Sequence, residues 1–549
     1  MLLAQASPDT GLQIPDVEWS AFAPELLVTA VALVLLLVAI ARGRQQVVAL
    51  PSAAGFLAVG AWLVVEGLTV PGATTIAVGA ALPAAVFAFP RRVSMVQALG
   101  AAAALLGALV LTGWQYVAVL DLGAPTLVPQ EALAGALAND GIAFFTRVTV
   151  YLTALLVIPL GYAYLNERRI NRAEVEPLIL LAAVGMVALA TANDLVTLFV
   201  ALEVFSLALY VLSGLARRDR RSQEAGLKYF VMGAVASAIL LYGMALLYVA
   251  TGRLDLPGIG TALGLVTTDR LVAALGLGLV TVGIGFKVSL VPFQLWTPDV
   301  YQGAPTNITA FMAAATKAAG FAAVLRLYLV AFPAMQSLWV PIIAVLAAAS
   351  MLYGAYLAVV QGDLKRMLAY SSITHAGYAS IGLLAVSDDG LSAALFYVLA
   401  YAVSTLAAFG CVIAIERTRR GEVGLRHLRG LGRTSPAVAG ILSLALLSLA
   451  GIPPTAGFVG KLLVFRAGLD AGLTWLVVIG VLSTVVAAFF YLRIAGMMFL
   501  EEPDPEGPIP AQSTGMSLGI AVAAALVVFI GVQPQPLLQY AEAAASLVR

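Results

Sequence analysis

The amino-acid sequence predicts an all-α polytopic membrane protein of about sixteen transmembrane helices. Three observations carry that expectation. Of 549 residues, 61% are hydrophobic and only 11% charged, with a mean hydropathy of +0.99, a composition with little left over for a soluble domain. Apolar runs of about 20 residues, the length that crosses a bilayer as a helix, recur along almost the whole chain. The basic residues then gather in alternate connections between those runs, as they do where cytoplasmic loops retain positive charge.

In chain order the runs fall near 22–42, 47–70, 74–90, 93–118, 144–165, 175–193, 195–215 and 225–251. Eight more follow near 271–296, 304–331, 337–361, 365–386, 390–416, 434–468, 472–498 and 514–533. The third is Ala-rich and interrupted by Pro83, and removing it from the count would invert the N-terminus. With sixteen helices, Arg42 and Arg44, Arg91 and Arg92, Arg168 to Arg172, Arg217 to Arg221, Lys365 with Arg366, and Arg417 to Arg433 all share one side. The intervening loops hold little beyond Arg253 and Arg270, which places both termini on the non-cytoplasmic side of the membrane. These arginines read as a topology signal and not as a nucleic-acid surface. The first 21 residues lack a basic leader segment and carry Asp9, Asp16 and Glu18, so an exposed tail is expected there.

Composition also excludes several chemistries. One cysteine, Cys411, and two histidines, His375 and His427, are too few for a disulfide framework, a zinc site or a bound iron–sulfur cluster. Cys411 is read as packing. What stands out is lysine. The chain has five, against 25 arginines, and four of them, Lys228, Lys287, Lys317 and Lys461, lie inside apolar spans. A cation at mid-bilayer costs about 2.5–3.5 kcal/mol. Arginine keeps its proton at any accessible pH, whereas a buried lysine can release it. Moving one charge against roughly 150 mV costs about 3.5 kcal/mol, within the range by which burial alters a lysine's proton affinity. An ion or proton pathway is therefore the default expectation.

Two spans are interrupted. The ninth carries Pro292 just after Lys287, and the fourteenth contains Gly451, Pro453 and Pro454 shortly before Lys461. Proline inside a span frees backbone carbonyls, which is tolerated where the backbone lines a cavity or packs in protein, and broken helices in two halves are a transporter signature. Glu203 is the one carboxylate near the middle of a span, with Lys287 its expected partner across to a neighbouring helix. Lys287 and Lys317 sit too deep to snorkel, whereas Lys228, about one turn inside its span, could serve transport or anchor at the interface. Lys461 could carry protons or simply be held by the freed carbonyls. His375, in Ser371-Ser372-Ile373-Thr374-His375, suits either a water-linked relay or a hydrogen-bonded packing role. Lys365 is read as an ordinary loop residue, Glu224 as a helix-terminal acid and Asp299 as a capping and turn residue.

Taken together, several stretches resemble the antiporter-like membrane subunits of respiratory complex I, and within them the subunit N branch of bacterial NADH–quinone oxidoreductase. They are Ala192-Asn193-Asp194-Leu195 with Leu202-Glu203; Glu224 to Phe230; Gly285 to Phe293 running into Trp296 to Pro305; Tyr370 to His375; Leu449-Ala450-Gly451-Ile452-Pro453 with Gly457 to Lys461; and Gly531 to Pro536. The likeness runs from about residue 140 to the C-terminus. It implies two inverted five-helix repeats, each with a broken helix, and protons moving along a buried Glu, Lys and His axis joined by water. Matched by motif, Glu203 and Lys287 are the paired charges, Lys317 the connecting lysine and Lys461 the lysine of the second broken helix, with Lys228 and His375 also on the axis. The family's usual core is fourteen helices, so a probable extra hairpin falls within 1–140, ahead of repeat regions at 141–333 and 334–500 and a C-terminal helix within 501–549. The resemblance also implies that NAD, FMN, iron–sulfur clusters and quinone belong to partner subunits of the membrane complex. A cation/proton antiporter subunit of the Mrp type, a ferredoxin-dependent relative of complex I, and a non-transporting scaffold are the alternatives.

Overall fold

The computed structural model describes residues 19–40, 45–88, 93–120, 131–133, 135–170, 172–265, 267–418, 423–504 and 510–546. The acidic N-terminal residues, Arg42, Arg44, Arg91, Arg92 and part of the 417–433 run lie outside them. A 3-10 turn (Trp19–Phe22) leads into α1 (Ala23–Ile40), followed by α2 (Gln45–Val65), α3 (Thr69–Ala88) and α4 (Val93–Leu120). The third span is a real helix despite Pro83. α2 and α3 form a tight hairpin in which a Cβ at Gly60 would meet the Gly72 carbonyl at 2.8 Å, and α1 packs past this hairpin onto α4 and α6 (Val175–Thr191). α3 packs on α4, and α2 is the more exposed arm of the hairpin.

A two-stranded antiparallel ribbon, β1 (Glu131–Ala132) and β2 (Leu137–Ala138), precedes α5 (Gly141–Glu167). Then come α6, α7 (Leu195–Ser213), α8 (Arg220–Thr251), the short α9 (Leu256–Leu263) and α10 (Arg270–Val288). Acidic N-caps start most of them: Asp140 accepts from the Ala143 amide, Asp194 from Val196 and Thr197, and Asp219 from Arg221. Each satisfies amide donors that the first helical turn leaves free. α8 stops at Gly252, whose φ of +67° ends the helix without a Cβ penalty.

After α10 the chain forms α11 (Trp296–Gly303), α12 (Thr306–Phe311) and α13 (Lys317–Arg326), with π-helical turns at Met312–Thr316 and Leu327–Ala331 on either side of α13. The second half comprises α14 (Gln336–Val359), α15 (Leu364–Leu384), α16 (Asp388–Thr418), the single turn α17 (Leu431–Thr434), α18 (Pro436–Ala450), α19 (Ala456–Asp470) and α20 (Thr474–Leu500). α21 (Thr514–Val532) and α22 (Gln535–Ser546) close the chain.

Thirteen helices among the described residues are long and apolar enough to cross a membrane, and α6 and α18 are shorter apolar helices. Adding α15, and counting α18 with α19 as one interrupted crossing, reproduces the sixteen segments expected. Two five-helix units are visible in the packing. The first runs α6, α7, α8, α10–α11 and α12–α13; the second runs α14, α15, α16, α18–α19 and α20. In each, the first helix packs on the second and the third on the broken one: α6 on α7 and α8 on α10, then α14 on α15 and α16 on α18 and α19. The apolar windows of α12–α13 and α16 are wholly buried, so these two elements form the centre on which both units close.

Candidate functional site: a buried lysine and histidine axis

Both interruptions end their first half-helix in the left-handed region. α10 stops at Ser289 with φ +64° and α18 at Gly451 with φ +84°. A terminated helix leaves carbonyls without intrahelical donors, at the negative end of its dipole. Lysines occupy both places. Lys317 donates to the Val288 carbonyl at 2.6 Å, and Lys461 to the Ala450 carbonyl at 2.9 Å. Lys287, Lys317 and Lys461 are 3%, 3% and 4% exposed, and no ion pair to any of them is found among the described residues.

The remaining sequence-predicted residues fall into two groups. Lys287 donates to Ser206 Oγ at 2.7 Å, approaches the Tyr229 hydroxyl at 3.5 Å and lies 4.1 Å from the centroid of the Phe205 ring. Glu203, one turn before Ser206 on α7, accepts from Ser237 of α8. The direct Glu203–Lys287 ion pair expected from sequence is therefore replaced by an arrangement in which Ser206 stands between them. The acid is half-buried, whereas the amine is buried. A small cavity beside Lys287, lined by Ser206, Tyr210 and Ser237 among mostly apolar side chains, has room for about one water molecule.

His375, on α15, lies between the two halves. Its Nδ1 is 2.6 Å from the Tyr397 hydroxyl and its Nε2 is 3.5 Å from that of Tyr491, so its partners are tyrosines of α16 and α20 and not the hydroxyls of its own turn. On one side a second cavity of similar size joins it to Lys317, with Tyr397 and Tyr401 in the wall. On the other, the Tyr378 ring lies 5.5 Å from the imidazole and 4.7 Å from the Lys461 ammonium. Lys317, His375 and Lys461 are thus brought onto one line, with Lys287 and Glu203 beyond Lys317 across the first break.

Lys228 is not on that line. It lies more than two turns into α8, its side chain is 41% exposed, and it pairs with Glu224 at 2.6 Å and Asp299 at 2.7 Å. Asp299 is not a simple capping residue, for it also binds Arg366 at 2.7 Å and so ties α8 and α11 of the first unit to α15 of the second. Lys365 is not in a loop. It occupies the first turn of α15, is buried, and donates to the Ala304 carbonyl at 2.8 Å. The burial follows from the tight approach of α11 and α15, which takes this turn out of solvent.

Sequence reasoning missed two buried arginine pairs. Arg326 forms a two-pronged pair with Asp140 at 2.7 and 2.8 Å, and Arg147 binds Glu25 at 2.7 Å. Both arginines lie near the ends of apolar runs, where the mid-span test used for lysine passes over them. Buried ion pairs of this kind hold helices in register.

Comparison with known proteins agrees with this geometry. A family profile described as NADH:quinone oxidoreductase/Mrp antiporter, transmembrane, matches residues 192–487, which span both breaks. A protein named NADH-quinone oxidoreductase subunit N from Rhodococcus opacus (strain B4) is 50% identical over 381 residues, 69% of this chain and 71% of that one. Its namesake from Parafrankia sp. (strain EAN1pec) is 41% identical over 491 residues, 84% and 91% of the two chains. A chain of respiratory complex I from Thermus thermophilus superposes with a TM-score of 0.67 at 36% identity, covering 85% of this chain and 98% of that chain. One from the Mrp complex of Dietzia sp. DQ12-45-1b gives 0.73 at 25% identity, covering 86% and 96%. The chain belongs to the NADH:quinone oxidoreductase/Mrp antiporter family of membrane subunits, alongside the subunit N proteins of NADH-quinone oxidoreductase.

Proposed function

We propose that this chain translocates protons as a membrane subunit of a respiratory NADH–quinone oxidoreductase, with Glu203, Lys287, Lys317, His375 and Lys461 as the sites a proton occupies in turn and Lys228 at the edge of the first unit. The observation that carries this reading is the repetition of one device: each interrupted helix presents a freed carbonyl to a buried lysine, and His375 bridges the two. A lysine held by a carbonyl and a helix dipole keeps its proton, and one deprived of them by a moving neighbour gives it up. Ser206 and the small cavities supply the hydroxyl and water links between sites. NAD, FMN, iron–sulfur clusters and quinone are held by partner subunits, which fits a chain with two histidines and one cysteine. The arginine-rich loops face the cytoplasm and both termini face outward, following the distribution of basic residues.

The test is Lys287→Met in the intact complex, reconstituted in sealed vesicles. Proton pumping should be lost while uncoupled NADH–quinone electron transfer persists; full pumping would overturn the proposal. The structural likeness to the Dietzia Mrp chain favours one competing reading, a cation/proton antiporter subunit without redox partners. Under it the same substitution would alter sodium tolerance, and no redox complex would co-purify with the chain.

A further inference from the structure

Two of the axis lysines face an aromatic ring. The Lys287 ammonium stands 4.1 Å from the centroid of the Phe205 ring, and the Lys461 ammonium 4.7 Å from that of Tyr378. Both rings are fully buried, and neither lysine has an ion pair among the described residues. A buried ammonium needs some negative pole beside it. The face of an aromatic ring is the negative pole of its quadrupole, and a cation within about 6 Å of the centroid is drawn to it. Out of water that attraction is worth up to roughly thirtyfold in an equilibrium.

Both rings are held in place by their surroundings. α6 approaches α7 so closely at Phe205 that a Cβ on Gly185 would meet the Phe205 backbone nitrogen at 2.8 Å. The next residue, Ser206, donates its hydroxyl proton to the Leu202 carbonyl and is left to accept from Lys287. Adjacent positions of α7 thus give one ammonium a ring and an acceptor. Tyr378 is tied through its hydroxyl to Ser483 at 2.9 Å and Thr484 at 3.0 Å on α20, so the ring and not the oxygen meets Lys461. The two lysines differ in what else holds them. Lys461 has the Ala450 carbonyl, whereas Lys287 has hydroxyl oxygens only, Ser206 at 2.7 Å and Tyr229 at 3.5 Å, with the Tyr229 ring further off at 5.5 Å. Lys287 therefore depends on its ring the more.

We propose that Phe205 is a positioning residue for proton translocation, its ring face holding the Lys287 ammonium in place of a carboxylate, with Tyr378 serving Lys461 in the same way. A carboxylate in contact with the amine could accept the proton and leave a neutral acid beside a neutral amine. A ring cannot. It attracts the ammonium but offers no lone pair to the proton, so the proton leaves only on the side of Ser206 and the water-sized cavity. There the N–H bond breaks, the electron pair stays on Nζ, and the neutral amine is released by the ring. The proposal rests on the proton-translocating role above.

Ring polarity can be altered with little change of shape. Replacing Phe205 in the intact complex by phenylalanines that carry one, two and three ring fluorines withdraws charge from the face in steps. Pumping should fall in the same steps, severalfold by the third fluorine, with uncoupled electron transfer unchanged, and Phe205→Leu should match the trifluoro residue. A ring that only packs gives a flat series, and that result overturns the proposal. The unfolding midpoint in denaturant reads the contact without reference to pumping. It should drop along the series when Lys287 is present and stay level in a Lys287→Met background; an equal drop in both backgrounds also overturns it. If the midpoints behave as expected while Lys287→Met pumps fully, the translocation role fails and the ring–ammonium contact stands; if Lys287→Met abolishes pumping and the fluorinated series is flat, only the role of Phe205 fails.

Discussion

The two interrupted helices do the same thing by different means. In the first, the lysine on the broken helix itself, Lys287, precedes the break and turns away from it toward Ser206 and Tyr229, leaving the Val288 carbonyl to Lys317 from another element. In the second, Lys461 follows the break and reaches back to the Ala450 carbonyl of its own first half. The residue that ends the half-helix differs accordingly. Ser289 keeps a side chain in the left-handed region and its Oγ accepts from Thr297 at 2.8 Å. Gly451 has no room for one, since a Cβ there would meet the Lys461 Cδ at 2.8 Å. The first break thus separates the lysine from the carbonyl and places a half-buried acid near the lysine, whereas the second folds lysine and carbonyl into one unit with no acid beside it. The first is built to exchange a partner and the second to hold one.

Substitutions can break that contrast. The largest effect is expected from Gly451→Ala, which adds roughly 1–2 kcal/mol of left-handed backbone strain to the roughly 1–3 kcal/mol of stranding the Ala450 carbonyl once Lys461 is pushed off it; a lowered unfolding midpoint in denaturant together with lost pumping checks it. Next come Lys317→Met and Lys461→Met. Each strands a buried carbonyl and should cost about 1–3 kcal/mol in the same titration, whereas Lys287→Met, which strands none, should lose pumping with a smaller stability change. Ser206→Ala removes the hydroxyl between Glu203 and Lys287, a loss of about 1 kcal/mol that should appear as slower proton transfer more than as instability. The smallest effect belongs to Ser289→Gly. Relief of the left-handed penalty offsets the lost Thr297 bond, and the net change should stay within about 1 kcal/mol.

Much of this was legible from the sequence because each signal is local. Hydropathy marks spans, and proline with glycine marks the breaks, where backbone donors and sterics fail irrespective of what surrounds them. Lysine in a span is conspicuous because its cost does not depend on its partner. At the N-terminus the structure pairs α2 and α3 as a hairpin. Residues at helix ends were misread for the converse reason. Lys365 and Asp299 lie near the ends of their elements, where composition cannot separate a solvated terminus from one that a neighbouring helix covers.

The sequence by itself determined the membrane-spanning class, the number of crossings, the positions of both interruptions and three of the buried amines, Lys287, Lys317 and Lys461, since all follow from the cost of placing a given group in hydrocarbon. Only the tertiary structure decided which carbonyl each lysine holds, that Lys287 bonds Ser206 while Glu203 bonds Ser237, that tyrosines and not serines bind His375, and that Asp299 joins the two units. Partners across helices depend on how the helices rotate and close against one another. That is a property of shape complementarity summed over many side chains, and it leaves no signature at any one position.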